Sequence, residues 1–232
     1  MTVFHLCLVK PLRAVVMYAI LESIGKEVTL TPEPIEPLRE WIVDMTTETH
    51  THMELPGDKY VVVENRQLHV NERNLRDLFQ RVRESEVTDD DLPGIADLFG
   101  RVKPFRDALV VYWLNTEVTL DDMVDFVAKV HDPKVEERMR RLTGMVDGEL
   151  TTDPAVLESG FTLLDKLLTV AEDDRTISEV YATKAYMFWV IGEDDVALDN
   201  AVKSTSVNPE QTLARLVTMA LGLDIRFNGL KA

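Results

Sequence analysis

The chain is poor in cysteine and has no long apolar run. Its 232 residues include a single cysteine, Cys7, which excludes an internal disulfide and a cysteine-rich zinc site. No stretch of the sequence approaches the roughly 20 apolar residues that a membrane helix needs. The apolar stretch 12–24 is bracketed by Arg13 and Glu22, and we interpret it as a core helix rather than a signal peptide. We therefore expect a cytoplasmic protein without a membrane segment.

Basic residues are also scarce. The chain has 25 lysines and arginines against 41 aspartates and glutamates, so its formal net charge is −16. This balance argues against binding to nucleic acid, which needs a basic surface to displace counterions from phosphates, and against docking on an anionic membrane. Hydrophobic residues make up 45% of the chain, which is enough to form a core.

The first part of the chain mixes strand and helix signals. The runs 60–63 and 67–70 predict two strands joined at Asn65-Arg66 as a β-hairpin. From Pro104 onward, helical spacing dominates. We therefore predict a mainly α fold of the α+β type, with a small α+β region over residues 1–100 and a helical domain over residues 101–232.

Several short motifs predict where helices begin. Thr119 followed by Asp122 has the spacing of a capping box, in which each residue bonds to the backbone of the other. Asp132-Pro133 and Asp153-Pro154 each place a capping carboxylate before a proline, and proline is favoured in the first helical turn. These motifs predict helices that begin near residues 120, 133 and 154.

The last third of the chain predicts a helical hairpin followed by a further helix, together at about residues 176–222, and the further helix has its apolar stripe at Leu213, Leu216, Val217, Ala220 and Leu221. Gly192 is expected to end the first helix, predicted over 179–190, and Asn208-Pro209 the second, predicted over 195–206. Ala197, Leu198, Ala201 and Val202 recur at helical spacing in the second helix.

The spacing of small and aromatic residues in this hairpin resembles one tetratricopeptide repeat. The residues that carry the resemblance are Tyr181, Ala185, Phe188, Gly192, Ala197, Ala201 and Pro209. The match is partial, because Ala201 stands where the repeat has an aromatic residue. No second unit follows at the repeat's period of roughly 34 residues. We therefore predict one such hairpin, with Ala185 and Ala201 at the contact between its two helices.

A longer series of residues spans the second half of the chain. It comprises Arg106–Val110, Ala182, Ala185, Trp189, Gly192–Asp194, Ala197, Ala201, Asn208-Pro209 and Leu213–Leu216. This series resembles an actinobacterial family known as domain of unknown function 4192, with Asn208 in place of the family's aspartate. The resemblance implies an origin in an actinobacterium or one of its phages, and it implies no activity.

The best candidate for a metal site lies near residue 50. In an extended strand, Glu48, His50, His52 and Glu54 would share one face, and imidazoles and carboxylates are zinc ligands. His131 is a possible third histidine ligand, although the Asp132-Pro133 that follows it favours a helix start. The alternative is a solvated polar face. We expect no stoichiometric metal, because same-face neighbours on a strand are roughly 7 Å apart and a tight zinc site needs three or four converging ligands.

The sequence assigns no catalytic, cofactor-binding or metal-binding residue. His5 and Cys7 would share a face of an extended run, but their apolar neighbours favour buried core positions over a nucleophile pair. His69 is expected to face solvent from the hairpin. The nucleotide-binding glycine motifs and the serine-hydrolase motif are also missing from the sequence.

Three functional hypotheses follow. The first is a non-enzymatic protein-interaction or regulatory module, which has a protein partner and no cofactor. The second is a metal-dependent enzyme that uses His50 and His52. The third is an acidic inhibitor that imitates nucleic acid; it ranks lower because the acids alternate with Arg and Lys, whereas a mimic needs uninterrupted rows of carboxylates.

Overall fold

The computed structural model describes residues 61–63, 66–68, 72–129, 132–143, 150–227 and 230–231. The mainly α fold predicted from the sequence is confirmed. Within these residues the chain forms nine helices and four very short strands. In chain order they are β1 (Val61–Val63), β2 (Arg66–Leu68), α1 (Glu72–Arg83), α2 (Leu92–Arg101), α3 (Lys103–Leu114), α4 (Leu120–Ala128), α5 (Pro133–Leu142), β3 (Leu150–Thr151), α6 (Pro154–Val170), α7 (Asp174–Val190), α8 (Asp194–Val207), α9 (Thr212–Gly222) and β4 (Leu230–Lys231).

The four strands form two small ladders. β1 and β2 are antiparallel, with Val61 opposite Leu68 and Val63 opposite Arg66. The predicted hairpin is therefore present, but Arg66 belongs to the second strand and not to the turn. β3 and β4 pair in parallel, with Leu150 opposite Leu230.

The predicted helix starts are confirmed. The Asp122 backbone N–H donates to Thr119 Oγ1 at 3.1 Å, and the Thr119 backbone N–H donates to Asp122 Oδ2 at 2.9 Å, which completes the capping box of α4. Asp132 and Asp153 each accept a hydrogen bond of 2.8 Å from the backbone N–H two residues further on. Their carboxylates thereby satisfy N–H groups that have no partner inside the first turn.

The core is organised around two buried helices. Every residue of α3 from Phe105 to Leu114 is buried, so this helix has no solvent-facing side over that length. α7 packs against α2, α3, α6, α8 and α9, and most of its residues are buried as well. Such helices lack the polar stripe of a surface helix, and here the contacts of α3 and α7 link the middle of the chain to its last third.

Glycine permits two of the close contacts in this core. A Cβ added to Gly100 on α2 would lie 3.0 Å from the Cα of Thr176 on α7. A Cβ on Gly160 of α6 would lie 2.6 Å from two ring carbons of Trp113 on α3. In both places the neighbouring helix comes so close that a side chain would have to displace it.

The helical hairpin predicted in the last third consists of α7 and α8. Gly192 ends α7 with a φ of +84°, which favours glycine, and its N–H donates to the Trp189 carbonyl at 3.2 Å. α7 begins at Asp174, earlier than predicted, because Asp173 accepts a 2.9 Å hydrogen bond from the Thr176 N–H. Ala185 and Ala201 are fully buried. The likeness of this pair to a tetratricopeptide repeat stays a prediction.

The predicted division of the chain at residue 100 also stays a prediction, because residues 1–60 lie outside the described residues. α2, which ends at Arg101, packs against α6 and α7 of the helical part.

Candidate functional site: a buried ionic cluster

The most unusual feature of the core is a group of charged side chains between α3 and α7. Arg106 is completely buried, and Asp107 and Glu179 are only 1% and 3% exposed. Arg106 Nε and Nη2 donate to Asp107 Oδ1 at 2.8 and 2.5 Å, while Nη1 donates to Glu179 Oε2. The guanidinium thus joins a carboxylate on its own helix to a carboxylate on α7.

A lysine at the edge of the cluster adds a second positive charge. Lys103 lies one helical turn before Asp107, and its Nζ is 3.9 Å from Glu179 Oε1. The Lys103 side chain is 12% exposed. With two cations and two anions the group has no formal net charge. This balance matters because an isolated charge moved from water into a protein core costs several kcal/mol. We call these four residues the ionic cluster.

The pKa of Arg106 reflects its surroundings. Burial by itself would lower the pKa of this guanidinium, but the charges of Asp107 and Glu179 and their hydrogen bonds raise it above its usual value. Arg106 therefore stays positively charged at physiological pH. It can hold two carboxylates in place, and it cannot exchange a proton with a substrate.

Tyr186 on α7 is another buried ionisable group. Burial raises the pKa of its hydroxyl well above the usual value, and the negative charge of Asp107 raises it further. The tyrosine is therefore neutral at physiological pH. Neither Arg106 nor Tyr186 has the pKa near neutrality that general acid–base catalysis favours.

The ionic cluster has the properties of an internal connection between helices. Its two carboxylates and its guanidinium are shielded from solvent, whereas a catalytic group must reach a substrate. Arg106 and Glu179 are 73 positions apart in the chain, so their contact fixes α3 against α7. The arrangement explains why a charged pair stands among the apolar residues of α3.

The sequence contained part of the signal for this cluster. Arg106 and Asp107 open the Arg-Asp-Ala-Leu stretch, and they interrupt an apolar helical stripe between Phe105 and Ala108. The sequence marks Glu179 only as the first residue of a predicted helix. Its burial follows from the packing of α7 against α3, which spacing along the chain does not reveal.

The candidate metal and nucleophile residues of the sequence lie outside the described residues. This holds for all members of the two groups, namely His5, Cys7, Glu48, His50, His52, Glu54, His69 and His131. Within the part of the chain that the structure describes, no group of three or more His, Cys, Asp or Glu residues is placed to hold a metal ion. The hypothesis of a site at His50 and His52 therefore stays a hypothesis.

Many surface charges are paired along individual helices. Lys129 and Asp125 are 2.7 Å apart, and Lys203 and Asp199 are 2.6 Å apart, each pair spanning one turn. Arg140 and Arg141 on α5 pair in the same way with the glutamates four residues earlier, both at 3.1 Å. Exposed pairs of this kind contribute only a few tenths of a kcal/mol each. They spread the charge over the surface and do not gather it at one site.

Known proteins give no relative from which a role for the ionic cluster could be taken. Comparisons with protein-family models, with curated proteins and with solved structures found no match. Among the described helices, none combines the length and the apolar character needed to cross a bilayer.

Proposed function

We propose that this protein is a non-enzymatic interaction or regulatory module that acts in the cytoplasm by binding another protein. We also propose that it belongs with the actinobacterial and phage proteins that its second half resembles. The observation that supports the binding function best is the ionic cluster. Its guanidinium and two carboxylates are buried and paired with one another, so the cluster serves the fold and leaves the helical surface for contacts.

The surface of the described region is consistent with this proposal. Several of its lysines and arginines pair with a carboxylate four residues earlier on the same helix, and others, such as Arg138 with Asp122 and Lys184 with Asp165, pair between helices. The carboxylates likewise alternate with bases, as on α5, where Glu136 and Glu137 are followed by Arg140 and Arg141. This pattern favours a protein-binding scaffold over a mimic of nucleic acid, which needs rows of unpaired carboxylates.

The proposal is tested by capture followed by reconstitution. The full chain is expressed in its native cells, cross-linked reversibly and purified, and co-purifying proteins are identified by mass spectrometry. Each candidate is then produced separately and mixed with the purified chain. We expect a complex of defined stoichiometry by size-exclusion chromatography with light scattering. If no candidate re-forms a complex and the purified chain instead carries a stoichiometric metal, the interaction proposal is wrong.

A further inference from the structure

Exposed apolar side chains are concentrated on α8 and at the end of α9. In the described part of the chain, the large apolar side chains more than a third exposed are Val196 (39%), Leu198 (41%), Val202 (52%) and Leu223 (52%). The sequence pattern on α8 grouped Leu198 and Val202 with Ala197 and Ala201. The structure buries only the two alanines. Two residues that continue an apolar helical stripe are therefore left without cover.

Leu198 and Val202 lie on one side of α8. They are four residues apart and so share a helix face, which we call the α8 apolar face. Asp194, one turn before Leu198, is 2.8 Å from Arg226, which follows α9. The end of the α8 apolar face near Asp194 is therefore close to the segment that follows α9. Val196 lies on the opposite flank of α8, one helical turn before Asn200 and two turns before Lys203.

The charges next to this face are negative in sum, because Asp194, Asp195 and Asp199 outnumber Lys203 and Arg226. Asp195 and Asp199 each precede one of the two apolar residues by three positions, so each carboxylate borders the face. Lys203 is the single base within α8, and it pairs with Asp199 at 2.6 Å. A second copy of this chain is a poor occupant, because a two-fold interface through this face would bring the same carboxylates together.

We propose that the α8 apolar face binds an amphipathic helix of a partner protein, with apolar side chains one turn apart and lysine or arginine beside them. The apolar residues of that helix would cover Leu198 and Val202, and a basic residue beside them would meet Asp195, since Asp199 already pairs with Lys203. Binding of an amphipathic helix against a helical surface is a recurrent mode of recognition. This inference rests on the proposed interaction function and adds the surface and the chemistry of the partner.

The experiment uses two synthetic helical peptides with the same leucine stripe. One has lysine at its polar positions and the other has glutamate. Each is labelled and titrated with the full-length chain at physiological ionic strength, and binding is followed by fluorescence anisotropy. We expect saturable binding of the lysine peptide only. The double variant L198A/V202A should weaken that binding at least tenfold, and D195N should weaken it less. The control V196A removes an apolar side chain from the opposite flank that is about as exposed as Leu198, and it should change binding less than twofold.

Several results would overturn the inference. The inference is wrong if the wild-type chain does not bind the lysine peptide. It is also wrong if L198A/V202A binds that peptide as tightly as wild type, because the attraction would then come from net charge alone. A concentration-dependent dimer of the wild-type chain that L198A/V202A abolishes would assign the face to a second copy. Capture of a partner that binds L198A/V202A normally would leave the interaction function standing and remove this surface from it.

Discussion

Replacing Arg106 by methionine tests the role assigned to the ionic cluster. Methionine keeps most of the length of the side chain and removes its charge, so two buried carboxylates lose the guanidinium that donates to both of them. Lys103 would remain as the one cation of the cluster, with its Nζ 3.9 Å from Glu179 Oε1. Loss of one partner from a buried ion pair costs about 3–5 kcal/mol. We expect the free energy of unfolding of R106M to fall by about that amount.

The comparison is with an exposed ion pair of the same protein. Lys129 and Asp125 are 2.7 Å apart, with side chains 41% and 37% exposed, and loss of such a pair costs about 0.2–1 kcal/mol. K129M is therefore the matched control. Urea denaturation followed by circular dichroism gives both free energies, and an unchanged slope against urea shows that the unfolded state has not changed. If R106M loses no more stability than K129M, the cluster does not hold α3 against α7.

A double-mutant cycle separates the ion pair from the loss of packing. E179Q removes the charge of Glu179 and nearly keeps its shape. If Arg106 and Glu179 interact as the structure shows, R106M/E179Q should be more stable than the sum of the two single losses predicts, by about 0.5–3 kcal/mol. Additive losses would mean that the pair contributes little beyond its packing.

Three further predictions concern the hairpin, the loop before α2 and the metal hypothesis. Ala185 is fully buried and is predicted to lie at the contact between α7 and α8, so A185L should overpack that contact. We expect the free energy of unfolding to fall by about 1–3 kcal/mol, measured by thermal unfolding. The Thr88 backbone N–H, and then the Arg81 side chain, lower the pKa of Asp91 from 3.8 to about 2. The ionised Asp91 therefore stabilises the folded state above pH 4, and this stabilisation is lost as the pH falls toward 2. The urea midpoints of wild type and D91N should differ at pH 6 and converge near pH 2. Protein purified without an affinity tag should contain no stoichiometric zinc by elemental analysis, and H50A/H52A should unfold at the same urea concentration as wild type.

Local sequence rules predicted much of the helical framework. The bonds that begin α4, α5 and α6 join residues two or three positions apart, so Thr119, Asp132 and Asp153 could be identified without knowledge of the fold. Gly192 was predicted for the same reason, since the hydrogen bonds that end α7 are local.

The ionic cluster required contacts that local rules do not describe. Arg106 meets Glu179 across 73 positions, and no spacing rule connects a charge on α3 to one on α7. The exposure of Leu198 and Val202 could not be predicted from the sequence for a related reason. The spacing of apolar residues on α8 shows that they share a face with alanines, but it does not show how far the neighbouring helices extend over that face.

Gly160 gives the sharpest test of the packing, because helix propensity and sterics predict opposite signs. Alanine is the better helix former by about 0.8–1 kcal/mol, so propensity alone predicts that G160A stabilises α6. The structure places the added Cβ 2.6 Å from the ring of Trp113, which is only 1% exposed and lies on a helix buried on all sides. The buried ring or α6 must therefore shift, and we expect a net loss of about 1–3 kcal/mol.

G94A is the matched control for G160A. Gly94 also lies within a helix, α2, and nothing is within 4 Å of the Cβ that alanine would add there. No steric clash then opposes the better helix propensity of alanine, and G94A should stabilise the protein by about 0.4–1 kcal/mol. Thermal unfolding of the two variants beside wild type measures both signs in one experiment. A rise in melting temperature for G160A equal to that for G94A would mean that α6 does not approach α3 as closely as the structure shows, because only that approach separates the two glycines.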